Sequence, residues 1–173
     1  MIRCYLGLGS NLQNPAKQLR AAIQHLRQIP DIVLVAISAV YHSRAVGPGE
    51  QPDYLNAAAA IDTRLAPEQL LEALQTIERA QGRVRHERWG ARTLDIDILL
   101  YGHQLIHSEH LRIPHPAMKE RRFVLQPLAD IFPKGQVLPT GELPDTLLAT
   151  CRTAALQRAD INLHITPEHR FER

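Results

Sequence analysis

Two aspartates set two residues apart, Asp95 and Asp97, are the side chains of this sequence best placed to do chemistry. They lie in the run Arg92-Thr93-Leu94-Asp95-Ile96-Asp97-Ile98-Leu99-Leu100-Tyr101. The aliphatic residues around them read as a strand, in which side chains alternate faces, so both carboxylates fall on one face and Ile96 and Ile98 on the other. At strand rise their Cα atoms are roughly 6.5–7 Å apart. Like charges that close repel and resist burial. A divalent cation would offset the repulsion, and an all-oxygen carboxylate site favours magnesium or calcium. Neighbouring arginines could instead neutralise the pair at a surface.

Four arginines, Arg83, Arg85, Arg88 and Arg92, fall within ten positions just upstream. The guanidinium fork matches phosphate oxygens, so the cluster fits a polyanionic ligand as well as a solvated charged loop. Carboxylate-held magnesium beside several guanidiniums is what phosphoryl transfer from a nucleoside triphosphate requires. The chain has no Gly-x4-Gly-Lys-Ser/Thr, and Gly7-x-Gly9 is too weak for a dinucleotide fingerprint. Any ATP chemistry must therefore work without a P-loop.

Two further groups stand out. His115, held between Pro114 and Pro116, could aim its ring at a ligand or bond a nearby carbonyl, and Arg121, Arg122 and Phe123 follow it. Tyr54 and Asn56 offer a flat ring and a two-sided amide, suited to a planar heterocycle but equally to a core tyrosine and a turn asparagine. His103, His107 and His110 have a spacing worth testing for zinc, yet in a hairpin their rings need not converge.

The elements that must hold these residues follow from period and punctuation. Ile2 to Leu8 reads as a buried strand ending in Gly9-Ser10-Asn11. Asn14 and Pro15 open a helix carrying Leu19, Ile23, Leu26 and Ile29, stopped by Pro30. Ile32 to Tyr41 reads as one long strand. His42 to Asp53, with Gly47, Pro48, Gly49 and Pro52, is a loop. Tyr54 to Thr63 is taken as a strand, although Ala57 to Ala60 favour helix. Pro67 opens a second helix that Gly82 ends. After the aspartate strand come a short hairpin up to Ile113, a helix over Ala117 to Ile131 that Pro127 bends or ends, and a last short helix over Leu143 to Cys151. The stretch from Gln157 onward lacks an amphipathic period and is expected to be loosely ordered. This order matches an α+β, ferredoxin-like sandwich, an antiparallel sheet with helices packed on one face.

Composition bounds the rest. The chain has 173 residues, 45% hydrophobic and 22% charged, as expected of one globular domain. No apolar run approaches the ~20 residues a membrane helix needs, and the start does not read as a signal peptide. Cys4 and Cys151 are far apart and read as reduced thiols, which fits a cytoplasmic location. A net charge of +2 is too small to suggest nucleic acid, and three Phe and one Trp are few for base stacking.

At this point the motifs resemble a known family, the 6-hydroxymethyl-7,8-dihydropterin pyrophosphokinases of folate biosynthesis. The resemblance rests on Gly9-Ser10-Asn11, on Gln51-Pro52-Asp53-Tyr54-Leu55-Asn56 and on Gln81-Gly82-Arg83-Val84-Arg85. It continues through Arg88-Trp89-Gly90-Ala91-Arg92-Thr93-Leu94-Asp95-Ile96-Asp97, Pro114-His115 and Arg121 to Leu128. It implies diphosphate transfer from ATP, the co-substrate, to the pterin hydroxymethyl group. Asp95 and Asp97 would then be ligands of two Mg2+ ions, acting in catalysis with Arg83 and Arg92. The ATP contacts implied are Arg83, Arg85, Arg92, Ile98, His115 and Arg121, and those to the pterin are Ser43, Val46, Tyr54, Asn56, Trp89 and Phe123. The pyrophosphokinase domain would span 1–158, with a tail of unknown role over 159–173. A monomer in the cytoplasm is expected, with neither nucleic acid nor membrane as partner. Pro116 departs from the family pattern, where an aromatic residue often follows the histidine, as does Ser43-Arg44-Ala45, where a proline is common.

Overall fold

A nine-residue strand, β1 (Ile2–Ser10), lies between two antiparallel neighbours, β4 (Tyr54–Thr63) and β5 (Asp95–Tyr101). The computed structural model describes residues 1–44, 53–82, 94–153 and 156–164. In chain order β1 is followed by α1 (Pro15–Gln28), β2 (Ile32–Ile37), β3 (Tyr41–Ser43), β4, α2 (Pro67–Ala80) and β5. The small hairpin β6 (Ile106–His107) and β7 (Arg112–Ile113) comes next, then α3 (Arg122–Ile131), α4 (Pro144–Thr150) and β8 (Gln157–Arg158). The main sheet runs β5-β1-β4-β3-β8, with β2 also pairing to β4.

The period of two divides the sheet. Leu6 and Leu8, Ala57, Ala59 and Ile61, Ile96 and Ile98 face α1 and α2 and form the larger core with Leu19, Ile23, Leu26, Leu70, Leu74 and Ile77. On the other face Tyr5, Ala60, Leu99 and Leu100 pack with Leu128 and Phe132 of the α3 region, and Leu147 of α4 lies against them. Helices therefore cover both faces, not one. The two-layer sandwich expected from sequence is formed by α1 and α2, and α3 adds a partial third layer because its stripe Leu125, Leu128 and Ala129 is apolar enough to be buried.

Most element boundaries agree with the sequence reading. The Asn14 side chain accepts from Lys17 N at 3.4 Å, Pro15 opens α1, and Gly82 (φ +85°) follows the end of α2 in the left-handed region that suits glycine. Four differences stand out. The expected long strand over Ile32 to Tyr41 is two strands, because the Ser38 hydroxyl enters the ladder itself: it accepts from Ala58 N at 2.7 Å and donates to Ala39 O at 2.7 Å. The expected helix over Ala117 to Ile131 is a 3-10 turn, Met118–Glu120, then extended Arg121, then α3. Pro127 lies inside α3 and does not end it. The chain from Gln157 is not loose over residues 157–164. Tyr41 and His42 of β3 pair with Arg158 and Gln157, and Ala159 and Leu163 are buried in the larger core. No described helix is long and apolar enough to cross a membrane.

Candidate active site

On the α3 face, the register sets a row of residues across three strands. Gly9 of β1 lies opposite Asp95 on one side and Asn56 on the other, and Gly7 lies opposite Asp97 and Ala58. With strands about 4.8 Å apart, the aspartates and the asparagine are separated by roughly 10 Å of backbone that carries no side chain. The result is a trough with a carboxylate wall and an amide wall, a cavity of about 310 Å³. Its upper boundary comes from the start of α3, with Arg121 and Phe123, and from Tyr54. Alternation along β5 dictates that Asp95 and Asp97 are half-buried on this face while Ile96 and Ile98 are buried on the other.

The amide wall is fixed. Asn56 is buried, and its amide nitrogen donates to Ser43 Oγ at 2.6 Å. Its carbonyl oxygen faces β1, where a methyl group added to Gly9 would lie 3.4 Å away. Directly opposite Asn56 on β3, the Tyr41 hydroxyl donates to Asp130 at 2.7 Å and ties β3 to α3; burial, with that bond adding to it, pushes the phenol up to about 12.

The start of α3 is held from the C-terminal side. Thr153 Oγ1 accepts from Arg122 N at 3.1 Å, and the Arg122 guanidinium donates to the carbonyl oxygens of Cys151 at 2.9 Å and Thr153 at 3.5 Å. Arg121 and Phe123 flank this anchor, with the Arg121 guanidinium 5.7 Å from the Phe123 ring centre. Near the aspartates, His115 Nε2 stands 3.9 Å from Asp97 Oδ2, while its Nδ1 accepts from Ala117 N at 3.3 Å. The neutral ring therefore carries its proton on Nε2, facing the carboxylates. Burial lowers the pKa of His115, Arg121 lowers it further, and Asp95 opposes both.

Of the residues singled out from sequence, Asp95, Asp97, Tyr54, Asn56, Ser43, Arg121 and Phe123 surround one cavity, and His115 borders it. Ile98 is not among them: its side chain is buried in the opposite core. Arg83, Arg85, Arg88, Trp89, Arg92 and Val46 lie outside the described residues. Among the described residues no three His, Cys, Asp or Glu side chains converge as a metal cluster. His107 is engaged with Arg112 at 3.1 Å in the hairpin. Sequence reasoning missed Gly7 and Gly9 as the trough floor, Thr153 on its rim, and Glu78 behind β5. The Gly-x-Gly pair could have been found by asking which strand residues need to be small beside an aspartate strand.

A family model for 7,8-dihydro-6-hydroxymethylpterin-pyrophosphokinase (HPPK) matches residues 5–133, which include all the strand residues that line the trough. The chain belongs to this family. It is an enzyme of folate biosynthesis, transferring diphosphate from ATP to the hydroxymethyl group of dihydropterin. A Pseudomonas aeruginosa 2-amino-4-hydroxy-6-hydroxymethyldihydropteridine pyrophosphokinase is 49% identical over 156 residues, covering 90% of this chain and 96% of that protein. A Haemophilus influenzae protein of the same name is 50% identical over 143 residues, covering 83% and 89%. The fold matches wild-type Plasmodium falciparum HPPK-DHPS with a TM-score of 0.64 at 13% identity. It covers 86% of this chain but 44% of that larger one, so the present chain spans less than half of that protein. An HPPK-DHPS in complex with substrates gives a TM-score of 0.67 at 13% identity, covering 86% and 45%.

Proposed function

We propose that the trough between Asp95/Asp97 and Asn56 is where this pyrophosphokinase brings the pterin hydroxyl to the β-phosphorus of ATP. The single observation that supports this most is the register: a glycine floor flanked by paired carboxylates on one side and a fixed amide on the other. Asn56, held by Ser43, reads the hydrogen-bonding edge of the pterin, and Tyr54 and Phe123 enclose its faces. The hydroxymethyl group then points towards the aspartates. A new bond forms between its oxygen and the β-phosphorus, the bond from that phosphorus to the α-phosphate bridging oxygen breaks, AMP leaves with that oxygen, and the hydroxyl proton passes to solvent water.

The donor set fits magnesium: Asp95 and Asp97 would hold it through carboxylate oxygens, the ligand type magnesium takes, with phosphate oxygens and water as further donors. Two Mg2+ ions held by Asp95 and Asp97 would neutralise phosphate charge and lower the proton affinity of the attacking hydroxyl. Arg121, and the Nε2 proton of His115 beside Asp97, donate to triphosphate oxygens. Arg83, Arg85 and Arg92 are assigned to the triphosphate and Trp89 to the pterin. Val46 is assigned to the pterin, and a nucleotide contact of Ile98 would have to come from its main chain, because its side chain is buried on the opposite face. A monomer working in the cytoplasm suffices for this scheme, since every group in it comes from one chain.

The test is incubation with ATP, magnesium and 6-hydroxymethyl-7,8-dihydropterin, followed by analysis of nucleotide and pterin. AMP in equal amount with diphosphorylated pterin is expected. ADP with a monophosphorylated pterin, or nucleotide joined to the pterin, would overturn the reading.

A further inference from the structure

Glu78 is a carboxylate that the reaction as described does not use, yet it lies directly behind the aspartate pair. We propose that it is a positioning residue for Asp95 and Asp97, acting through the backbone of β5. The inference rests on the reading of those aspartates as cation ligands.

Glu78 occupies the last turn of α2 and is only 4% exposed. Its Oε2 accepts the backbone N–H of Ile96 at 2.8 Å. That amide belongs to the peptide unit joining Asp95 to Ile96, and Ile96 is the one residue between the two aspartates. Among the described strands of the main sheet β5 pairs with β1 alone, and no described strand lies beside its other edge at this point. Glu78 supplies the acceptor that a neighbouring strand would have given.

This bond ties the peptide unit between the two aspartates to the last turn of α2 and limits the movement of β5 at that point. Stiffness matters here: magnesium accepts oxygen ligands only near 2.0–2.1 Å in close to octahedral geometry, so a few tenths of an ångström of freedom in β5 falls directly on its affinity.

The experiment compares E78A, E78Q, E78D and D97A by three measurements on the whole chain. These are Mn2+ affinity with a non-hydrolysable ATP analogue, hydrogen exchange of the Ile96 amide, and melting temperature. E78A should weaken Mn2+ binding about tenfold or more, in line with losses of partners behind metal ligands, and speed exchange at Ile96. E78Q, whose amide oxygen still accepts, should restore Mn2+ affinity to within about threefold of the parent. E78D withdraws the carboxylate by one methylene and should weaken Mn2+ binding several-fold, which keeps the test open if E78A fails to fold. Faster exchange at Ile96 with parental Mn2+ affinity in E78A or E78D would overturn the proposal, leaving Glu78 as a structural contact. If D97A itself binds Mn2+ as the parent does, the cation reading of the aspartates fails, and the role given to Glu78 falls with it.

Discussion

The two faces of the central sheet are built from the same three strands, residue by alternate residue, and they are almost opposite in character. Facing α1 and α2, the positions are Leu6 and Leu8, Ala57, Ala59 and Ile61, Ile96 and Ile98, all aliphatic and buried. On the other face, the end under α3 is apolar, with Tyr5, Ala60 and Leu100, whereas the far end carries Gly7, Gly9, Asn56, Asp95 and Asp97. The lesson is one of division of labour at a period of two. Packing on one face is complete enough that the other can keep a bare backbone floor and a like-charged pair. Neighbouring residues on one strand should therefore respond to mutation in different measurements.

The largest effect should come from Asp97→Ala. Turnover should fall by at least about a thousandfold, equivalent to about 4 kcal/mol or more in the barrier. The melting temperature should stay the same or rise, because one of two repelling carboxylates is gone. Steady-state rates and a thermal melt on one preparation check both halves, and retained activity would remove the metal role from this residue. Leu6→Ala, on the packed face of β1, should do the reverse. It should cost about 2–5 kcal/mol in urea unfolding, since a fully buried leucine is truncated, while kcat measured well below the melting point stays within a few-fold. Should Leu6→Ala abolish turnover in a folded chain, the two faces are not independent.

Gly9→Ala sharpens the comparison within β1. The added methyl would meet Asn56 Oδ1 at 3.4 Å and Tyr54 Cδ1 at 3.8 Å, ordinary contacts, and the position has no positive φ. Alanine in a strand also costs less conformational entropy than glycine, so stability should rise by up to about 1 kcal/mol. The price falls on the trough, where the methyl fills space between the walls: KM for the pterin should rise several-fold with KM for ATP little changed. An unchanged pterin KM would mean that the pterin does not lie over Gly9.

How much of this was legible in the sequence depends on whether partners are local. The aspartate pair, the strand beneath it and both long helices announce themselves through period and punctuation, since each signal lies within one element. The trough floor did not, because Gly7 and Gly9 acquire meaning only from the strands beside them, about fifty and ninety residues away in the sequence. Glu78 was hidden for the same reason: it reads as an ordinary helix residue until its contact with Ile96, eighteen residues on, is known. The break at Ser38 escaped because a hydroxyl in a β-branched run gives no hint that it will replace a ladder partner. Docking of residues 157–164 rests on a two-residue strand and two buried apolar side chains, too short a pattern for any period to appear.

The smallest effect tests the comparison along one face instead of between two. Asp62 lies on β4 six residues from Asn56, on the same face and roughly 20 Å further along. There the carboxylate has a cation of its own: Arg3 donates to it through Nε at 2.6 Å and through a second nitrogen at 3.2 Å. That bond holds the Asp62 carboxyl below the usual carboxylate range. A folded-state pKa below the unfolded value of about 4 means that the pair contributes its stability above pH 4 and loses it as pH falls through the lower folded value. The pair is partly exposed, so its contribution is small, about 0.5 kcal/mol at pH 7. Asp62→Asn should therefore be less stable than the parent by that amount in urea at pH 7 and at pH 5, and the gap should close towards pH 3 and in 1 M salt. Turnover should be unchanged, because this acid lies far along β4 from the trough and is held by Arg3. A gap that persists undiminished at low pH and in high salt would assign the loss to packing and not to charge.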